Sequence, residues 1–180
     1  MAIFKRVIGA LLGLAVLVFV SGFILPSTVH VERNILINAT PAEIFPLVSD
    51  LTKWEAWSPW AKMDPDMELT VSGSEVGQTM RWHSTDPMVG NGTQEITAIE
   101  SLDYVKTHLD FGDQGVADAA FELMPQADGT LVSWSLDTDV RAGVPPLKQP
   151  ISTYFGFFMD SMVGKDYEAG LTNLKALVER

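Results

Sequence analysis

The chain has 180 residues and carries 23 acidic against 12 basic side chains, which gives a formal net charge of -11. This excess of negative charge argues against general nucleic-acid binding, which needs a basic surface that displaces counterions from phosphates. The sequence contains no cysteine, which excludes disulfides, thiolate nucleophiles and cysteine-ligated zinc or iron–sulfur centres.

The first predicted element is a hydrophobic helix. Residues 7–25 contain no charged side chain, and a helix of that length spans roughly 28 Å, close to the thickness of a bilayer core. Lys5 and Arg6 precede it, so the positive-inside rule places the N-terminus in the cytoplasm and the rest of the chain on the periplasmic or extracytoplasmic side. Residues 1–26 are either an uncleaved membrane anchor or a signal peptide cleaved near Val20-Ser21-Gly22; the length of the apolar run favours the anchor.

A strand and a capped helix follow the hydrophobic segment. Residues 30–38 alternate in polarity and are rich in β-branched side chains, which predicts a strand. Thr40 fits an N-cap, Pro41 the first helical position, and Glu43 the reciprocal partner of a capping box. A helix is therefore expected to begin at Pro41.

Three tryptophans recur at every third position: Trp54, Trp57 and Trp60. This spacing predicts a second short helix that ends near Ser58-Pro59. Two roles are open for the indoles. They either pack as a wedge between the first helices and the last one, or form part of a ligand gate or of a surface that rests on the membrane interface.

The rest of the chain predicts six strands and one long helix. Turn signals rich in Gly, Asp and Pro separate the β-like runs, which cover residues 67–73, 78–84, 92–101, 104–111, 116–124 and 130–140. Residues 151–180 carry the longest helical pattern, although three glycines within it indicate a kink or a close backbone approach. The expected fold class is α+β: a curved antiparallel sheet of six or seven strands wrapped round the long C-terminal helix and preceded by one transmembrane helix.

Alternation along the strands collects apolar side chains on one face of the sheet. Its expected members are Leu69, Val71, Met80, Trp82, Ile96, Ala98, Leu109, Phe111, Phe121, Leu123, Val132, Trp134 and Leu136. This face is either a filled core or the lining of a partly hollow cavity that takes an apolar ligand. Its polar members, Ser84, Gln94 and Thr107, include no acid–base pair of the kind that catalysis needs.

Motifs with a defined chemistry are missing from the sequence. His30, His83 and His108 do not have the spacing of a metal site, and no nucleophile elbow or phosphate-binding loop is present. We therefore expect no catalytic residue, no metal and no cofactor.

Several segments together resemble a known family. They are ILINATPAEIFPLVSDLTKWEAWSPW, GQTMRWHS, GNGTQEITAIES, GTLVSWSLD and KDYEAGLTNLKALVER. Over residues 29–180 the chain resembles the START-like SRPBCC helix-grip superfamily, in its polyketide cyclase/dehydrase-like branch, and residues 29–180 are expected to form that single domain. The quoted motifs specify the fold much better than the ligand.

The resemblance implies a deep cavity between the curved sheet and the C-terminal helix that binds lipids, hormones, polyketides or other apolar molecules. The side chains expected to line it are Trp57, Met80, Trp82, Ile96, Leu109, Phe111, Phe121, Trp134, Phe155, Phe158 and Met162. No catalytic residue carries over from the family, and the hydrophobic N-terminal segment is a departure from a cytoplasmic tailoring enzyme.

Three functions remain open from the sequence. The favoured hypothesis is a membrane-anchored, non-enzymatic binding domain for a hydrophobic small molecule or lipid, attached to the membrane through residues 7–25. The second is an enzyme of the polyketide cyclase/dehydrase type, which requires a carboxylate, His or Tyr in the cavity. The third is a protein-interaction module, which requires a large exposed apolar patch.

Overall fold

An N-terminal helix precedes a seven-stranded sheet and a long C-terminal helix. The structure, a computed structural model, describes residues 2–64, 66–87 and 89–180. Helix α1 covers Ala2–Ile24, and its residues Ile3–Ile24 have a mean hydropathy of 2.7 with almost none of the segment buried. This helix is therefore long and apolar enough to cross a membrane, as the charge-free run indicates.

The sheet has seven strands, all of them antiparallel to their neighbours. The strands are β1 (Thr28–Ile37), β2 (Glu68–Ser72), β3 (Thr79–His83), β4 (Asn91–Glu100), β5 (Tyr104–Asp110), β6 (Val116–Gln126) and β7 (Gly129–Asp139). Their order is β1-β7-β6-β5-β4-β3-β2, so β2 to β7 form successive hairpin neighbours and β1 returns to pair with β7. This arrangement confirms the predicted α+β helix-grip fold.

Helix α2 (Pro41–Val48) begins where the capping residues predict. The Glu43 carboxylate accepts hydrogen bonds from the backbone N–H and the hydroxyl of Thr40, both at 2.8 Å. These bonds favour the ionised carboxylate and lower the pKa of Glu43. Ile44 and Val48 on the opposite side of the helix are fully buried in the core.

The tryptophan segment folds into two short pieces rather than one helix. A 3-10 helix covers Leu51–Ala56, and a one-turn helix, α3, covers Trp60–Met63. Pro59 lies between them, and its missing N–H prevents a continuous ladder of hydrogen bonds. The three indoles nevertheless converge on one side of the segment, because they join the same ring cluster described below.

Helix α4 (Gln149–Val178) runs along β1 and also touches β7. It begins two residues earlier than the spacing predicts, with Pro150 in its first turn, where a missing N–H costs nothing. Its second half buries Tyr167, Leu171 and Leu174 against the sheet. Burial of these side chains holds the helix on the sheet by the hydrophobic effect.

One charged side chain, Arg33 of β1, also points towards α4. Its guanidinium donates to Glu168 at 2.7 Å and to Asp160 at 2.9 Å. The absence of a side chain at Gly164 makes this crossing possible, because a Cβ there would lie 2.5 Å from the Arg33 Cζ atom. The glycine thus marks a close approach between the helix and a β1 side chain.

Candidate hydrophobic ligand site

The inward face of the sheet supplies most of the expected site residues. Alternate residues of β6 and β7 point into the core, among them Phe121 and Trp134, each 1% exposed. A β-bulge interrupts the pairing of β4 with β5 between Ile96 and Ala98. Because a bulge shifts the alternation by one residue, Ile99 packs against the core where alternation predicts Ala98.

Six rings fill the space between β6, β7 and the second half of α4. We call them the aromatic cluster: Trp54, Trp57, Trp60, Phe121, Trp134 and Tyr167. Trp134 lies at its centre, stacked on Tyr167 with ring centroids 3.8 Å apart and on Phe121 at 4.8 Å. The edges of Trp54 and Trp57 meet the same indole at 5.9 and 5.4 Å. This part of the inward face is therefore packed solid.

The indole N–H groups of the cluster differ in their partners. Trp54 donates to the Val48 carbonyl at 3.1 Å, and Trp57 donates to the Leu47 carbonyl at 3.0 Å. Among the buried side-chain polar atoms that the structure describes, only Nε1 of Trp134 has no hydrogen-bond partner. A buried donor without an acceptor costs about 1–3 kcal/mol, so an acceptor from a bound molecule at this position would be stabilising.

A second part of the inward face, over β3, β4 and β5, is less completely covered. We call it the open patch and define it by Met80, Trp82, Leu109 and Phe111, all half-buried. Met80 and Leu109 flank Gln94 in one cross-strand row. In the next row the Trp82 indole lies over Gly92 and meets the edge of Phe111 at a centroid distance of 5.8 Å.

Gly92 is required for the position of Trp82. A Cβ on Gly92 would lie 2.6 Å from the Trp82 Cη2 atom and 2.7 Å from the Asp110 carbonyl oxygen. The missing side chain leaves room for the indole to lie against the strand backbone. This pairing of a strand glycine with a cross-strand aromatic ring shapes the open patch.

The polar groups behind the open patch are neutral. The Gln94 side-chain amide donates to the Thr107 hydroxyl at 3.0 Å, and that hydroxyl faces the Ala119 carbonyl at 3.5 Å. Both side chains are buried. Such groups can orient a ligand by hydrogen bonds, but they do not exchange protons at ordinary pH.

Two titratable groups on α4 were not identified from the sequence as members of the site. Burial raises the pKa of the Tyr167 hydroxyl far above its usual value and also raises the pKa of the half-buried Asp166 carboxyl. The helical spacing shows Tyr167 as an apolar-face residue, but its stacking on Trp134 depends on tertiary structure. No sequence signal distinguishes Asp166 from the other acidic residues of the chain.

The expected ligand-contacting residues thus fall into three groups. The aromatic cluster and its surroundings contain the buried ones, Trp57, Ile96, Phe121 and Trp134. The open patch contains Met80, Trp82, Leu109 and Phe111. The third group lies on α4 and is exposed to solvent: Phe155 at 53%, Phe158 at 62% and Met162 at 42%.

Histidines lie on the outer face of the sheet, away from the patch. His30 Nδ1 is 2.7 Å from an Asp137 carboxylate oxygen, and His108 Nδ1 is 2.8 Å from Asp118. Within residues 2–64, 66–87 and 89–180, no three His, Asp or Glu side chains converge in a way that could hold a metal ion.

A wide surface depression lies at the other end of the molecule. It has a volume of about 870 Å³, is open to solvent, and is formed by the β1–α2 connection and the β6–β7 turn, including Pro41, Pro125 and Asp128. None of the expected ligand-contacting residues lines it. Because charged side chains such as Glu43 and Asp128 line the depression, the open patch, whose members are all apolar, is the better candidate for a hydrophobic ligand.

Comparison with known proteins identifies the domain. A sequence profile of the family described as polyketide cyclase / dehydrase and lipid transport matches residues 28–179. No curated protein matches the chain.

Solved structures share the fold at low sequence identity. The di-domain ARO/CYC StfQ from the steffimycin biosynthetic pathway superposes with a TM-score of 0.66 at 12% identity over 84% of this chain. The chain spans about half of that protein, covering 51% of it. Truncated norcoclaurine synthase from Thalictrum flavum gives a TM-score of 0.61 at 13% identity, with 84% of this chain and 93% of that one covered. SA2116 from Staphylococcus aureus, a protein of unknown function, gives 0.62 at 14% identity, with 87% and 96% covered.

Proposed function

The chain belongs to the polyketide cyclase / dehydrase and lipid transport family, and from that premise we propose that it is a membrane-anchored binding domain for a hydrophobic small molecule or lipid. Residues 1–26 anchor the protein with its N-terminus in the cytoplasm, and residues 29–180 form the binding domain on the periplasmic or extracytoplasmic side. The ligand lies against the open patch, on the inward face of β3, β4 and β5. Membership of the family supports a domain that binds a hydrophobic ligand or is of the cyclase type.

The observation that carries the proposal is the incomplete burial of the open patch. Met80, Trp82, Leu109 and Phe111 point inward, yet they are only half-buried, whereas neighbouring inward residues such as Ile96 and Val105 are fully buried. Apolar surface left partly exposed on a concave face gains about 25 cal/mol for each Å² that a ligand removes from water. Two members of the patch, Met80 and Phe111, also pack against the buried core.

The unpartnered N–H of Trp134 gives the proposed ligand a polar feature. An oxygen acceptor from a ligand reaches this N–H only if the rings packed round Trp134 move apart, and the hydrogen bond would then offset part of that cost. Gln94 and Thr107 offer further neutral hydrogen-bonding groups on the sheet side. The chemistry best matched is therefore a mainly apolar molecule with one or two uncharged oxygen atoms.

Binding is favoured over catalysis by the side chains of the patch itself. Its four members and the adjacent Gln94 and Thr107 include no acid or base that could move a proton. The cyclase-type alternative would need a titratable group next to the patch. The candidates are Asp64, whose carboxylate accepts a hydrogen bond from Ser84 of the inward face, and Asp166 and Tyr167 on α4, of which Tyr167 is enclosed by the stacked Trp134 ring.

Photo-crosslinking tests the proposal in the full-length protein. The chain is placed in lipid nanodiscs with a diazirine-bearing hexadecanol, a mainly apolar probe with one uncharged oxygen, then irradiated and mapped by peptide mass spectrometry. We expect crosslinks on β3 and β5 in addition to those on α1, which report partition of the probe into the bilayer. Crosslinks confined to α1 and α4 would contradict binding at the open patch.

A matched pair of variants locates the site. Leu109→Trp fills the open patch with a larger apolar side chain and should reduce the β3 and β5 crosslinks about tenfold, the effect of losing roughly 1.4 kcal/mol of binding free energy. Glu95→Trp adds the same ring on the outer face of β4, where Glu95 is exposed, and should leave the crosslinks unchanged. Equal effects of the two variants would show that the crosslinks do not come from the patch.

A further inference from the structure

The first half of α4 exposes an apolar face that the core does not use. Its members recur at helical spacing, beginning just before the helix, and we call them the α4 apolar face: Leu147, Ile151, Phe155, Phe158 and Met162. Their exposures are 78, 68, 53, 62 and 42%. No charged residue occurs between Lys148 and Asp160. Contiguous apolar surface of this kind marks a contact with another molecule or with a membrane.

Helix α1 packs directly beside this face. Gly22 lies against Pro150, where a Cβ on the glycine would be 2.6 Å from the Pro150 Cβ atom. The Tyr154 hydroxyl donates to the Val18 carbonyl at 2.8 Å and lies 2.7 Å from the Ser21 hydroxyl. The end of the hydrophobic helix is thus fixed to the first two turns of α4, which carry Ile151 and Phe155.

Arg141, between β7 and α4, strengthens this attachment. Its guanidinium donates to the carbonyls of Gly22 at 2.7 Å and Leu25 at 2.5 Å, and its Nε atom donates to Thr153 at 2.9 Å. These bonds satisfy carbonyl groups at the C-terminal end of α1, which have no partner within the helix. The orientation of α1 relative to α4 is therefore set by hydrogen bonds as well as by packing.

The depth of Tyr154 follows from these contacts. From Leu25, at the end of α1, to Val18 is roughly 10 Å along a helix axis. If α1 spans a bilayer, the α4 residue that contacts Val18 lies about that far below the point where the chain leaves the membrane. Helices that lie in the membrane interface bury their apolar face by about 5–10 Å, so Tyr154 lies at the deep limit of that range.

The charged residues near the face fit the same location. Lys148 and Lys165 are exposed at either end of it, where they can reach lipid phosphates. Asp160, the acid within this stretch, is turned towards β1 and paired with Arg33 at 2.9 Å. The apolar face therefore meets the lipid without a free carboxylate among its own residues.

We propose that the α4 apolar face lies in the outer-leaflet interface of the membrane crossed by α1, so that the domain is held against the bilayer at two places. This inference rests on the membrane anchoring proposed above. It assigns Phe155, Phe158 and Met162 to lipid contact instead of to the lining of the ligand site. A bilayer is favoured over a second copy of the chain because the face continues directly onto the exposed apolar surface of α1.

The absence of cysteine from the sequence allows a direct test. Single variants Ile151→Cys and Phe158→Cys are labelled with the polarity-sensitive fluorophore NBD in the full-length protein. Ala176→Cys, exposed at the far end of α4, is the water-facing control, and Leu14→Cys reports the position of α1. The proteins are placed in phosphatidylcholine nanodiscs containing some phosphatidylglycerol, with and without doxyl-labelled lipid as a quencher.

We expect doxyl lipid to quench the probes at Ile151 and Phe158 about twofold, because an apolar face buried about 5–10 Å brings them to the depth of the doxyl group. The probe at Leu14 should also be quenched, and the probe at Ala176 should not. Near-UV circular dichroism confirms that each variant is folded.

Each other outcome has a distinct meaning. Quenching at Leu14 alone overturns the interfacial position of α4 while leaving the anchor in place. No quenching at Leu14 removes the anchor and this inference with it, whereas crosslinking at the open patch would still report ligand binding. Quenching by iodide in the water phase tests for a second copy. If the Phe158 probe is protected from iodide more strongly as the number of copies per disc rises, and doxyl lipid does not quench it, a second copy covers the face. That result would also overturn the proposal.

Discussion

Replacement of Gly22 by leucine tests how α1 is attached to the domain. A Cβ at this position would lie 2.6 Å from Pro150 Cβ, 2.7 Å from Pro150 Cα and 3.1 Å from the Pro150 carbonyl oxygen. Two of these three atoms belong to the backbone of α4, so they cannot move aside as a flexible side chain can. A Cβ added to Gly13 in the same helix would meet no atom within 4 Å, and Gly13→Leu is therefore the matched control.

The magnitude follows from the clash. Real Cβ atoms rarely approach closer than 3.4 Å, so the two helices must separate by about 0.8 Å or more. Overpacking of this kind costs about 1–3 kcal/mol, which lowers the equilibrium constant for docking of α1 on α4 about 5- to 150-fold. Separation would also break the bonds from Tyr154 and Arg141 to α1.

Pulsed electron paramagnetic resonance between two spin labels measures the result. Labels at Leu11→Cys and Ala176→Cys report the distance between α1 and the far end of α4, and both sites are exposed. The distance distribution should be narrow in the parent and in Gly13→Leu, and it should broaden and shift in Gly22→Leu. An unchanged narrow distribution in Gly22→Leu would refute the docking of α1 on Pro150.

Three further changes test other parts of the structure. Trp57→Ala should lower the free energy of unfolding by about 3–5 kcal/mol, because it removes a fully buried ring; denaturant titration measures this, and a loss below about 1 kcal/mol would contradict the packed cluster. Gly92→Ala should displace the Trp82 indole and weaken probe crosslinking on β3 while the far-UV spectrum is unchanged; unaltered crosslinking would argue against a role for that ring. The hydrogen bond to Asp137 raises the pKa of His30 in the folded protein. Protonated His30 therefore contributes fully to folding stability below pH 6.5, roughly the pKa of His in the unfolded chain, and this contribution is lost as the pH rises through the higher pKa of the folded state. Both side chains of the pair are more than half exposed, so His30→Asn should remove a pH-dependent part of the stability of at most about 1 kcal/mol. If the free energy of unfolding depends on pH in the same way in the parent and in the variant, the stabilising role of the His30–Asp137 pair is contradicted.

The order and type of the elements could be predicted from local patterns. The hydrogen bonds from Thr40 to the Glu43 carboxylate form as the capping-box spacing indicates. Alternation sorted the inward side chains of β6 and β7 correctly, because both faces of these strands have clearly different polarity. It failed after Ile96 in β4, since a β-bulge changes the register without a distinctive local sequence.

The division of the expected site residues could not be predicted. The helical period of α4 is satisfied both by Tyr167 and Leu171, which face the core, and by Phe155 and Phe158, which do not. Only the position of the sheet decides which face is buried. The close approaches at glycines also depend on tertiary structure. A Cβ on Gly170, for example, would lie 2.8 Å from the Trp134 ring.

Arg33 is an exception to the rule that residues on the inward face of the sheet are apolar. Alternation along β1 places it on the same face as Val31 and Ile37, which are fully buried. A charge on this face is tolerated because carboxylates from α4 accept its hydrogen bonds. The sequence contains the acids, but their convergence on Arg33 depends on the packing of α4 against β1.

Native mass spectrometry of the full-length protein tests the central claim of hydrophobic ligand binding most directly. The chain is purified in nanodiscs made from the membranes in which it was produced and is ejected intact, so that a ligand held in the domain remains as a non-covalent adduct. We predict one small-molecule adduct per chain that is lost in Leu109→Trp and retained in Glu95→Trp. A bare polypeptide mass in the parent protein, or an adduct that survives equally in both variants, would contradict a hydrophobic ligand at the open patch.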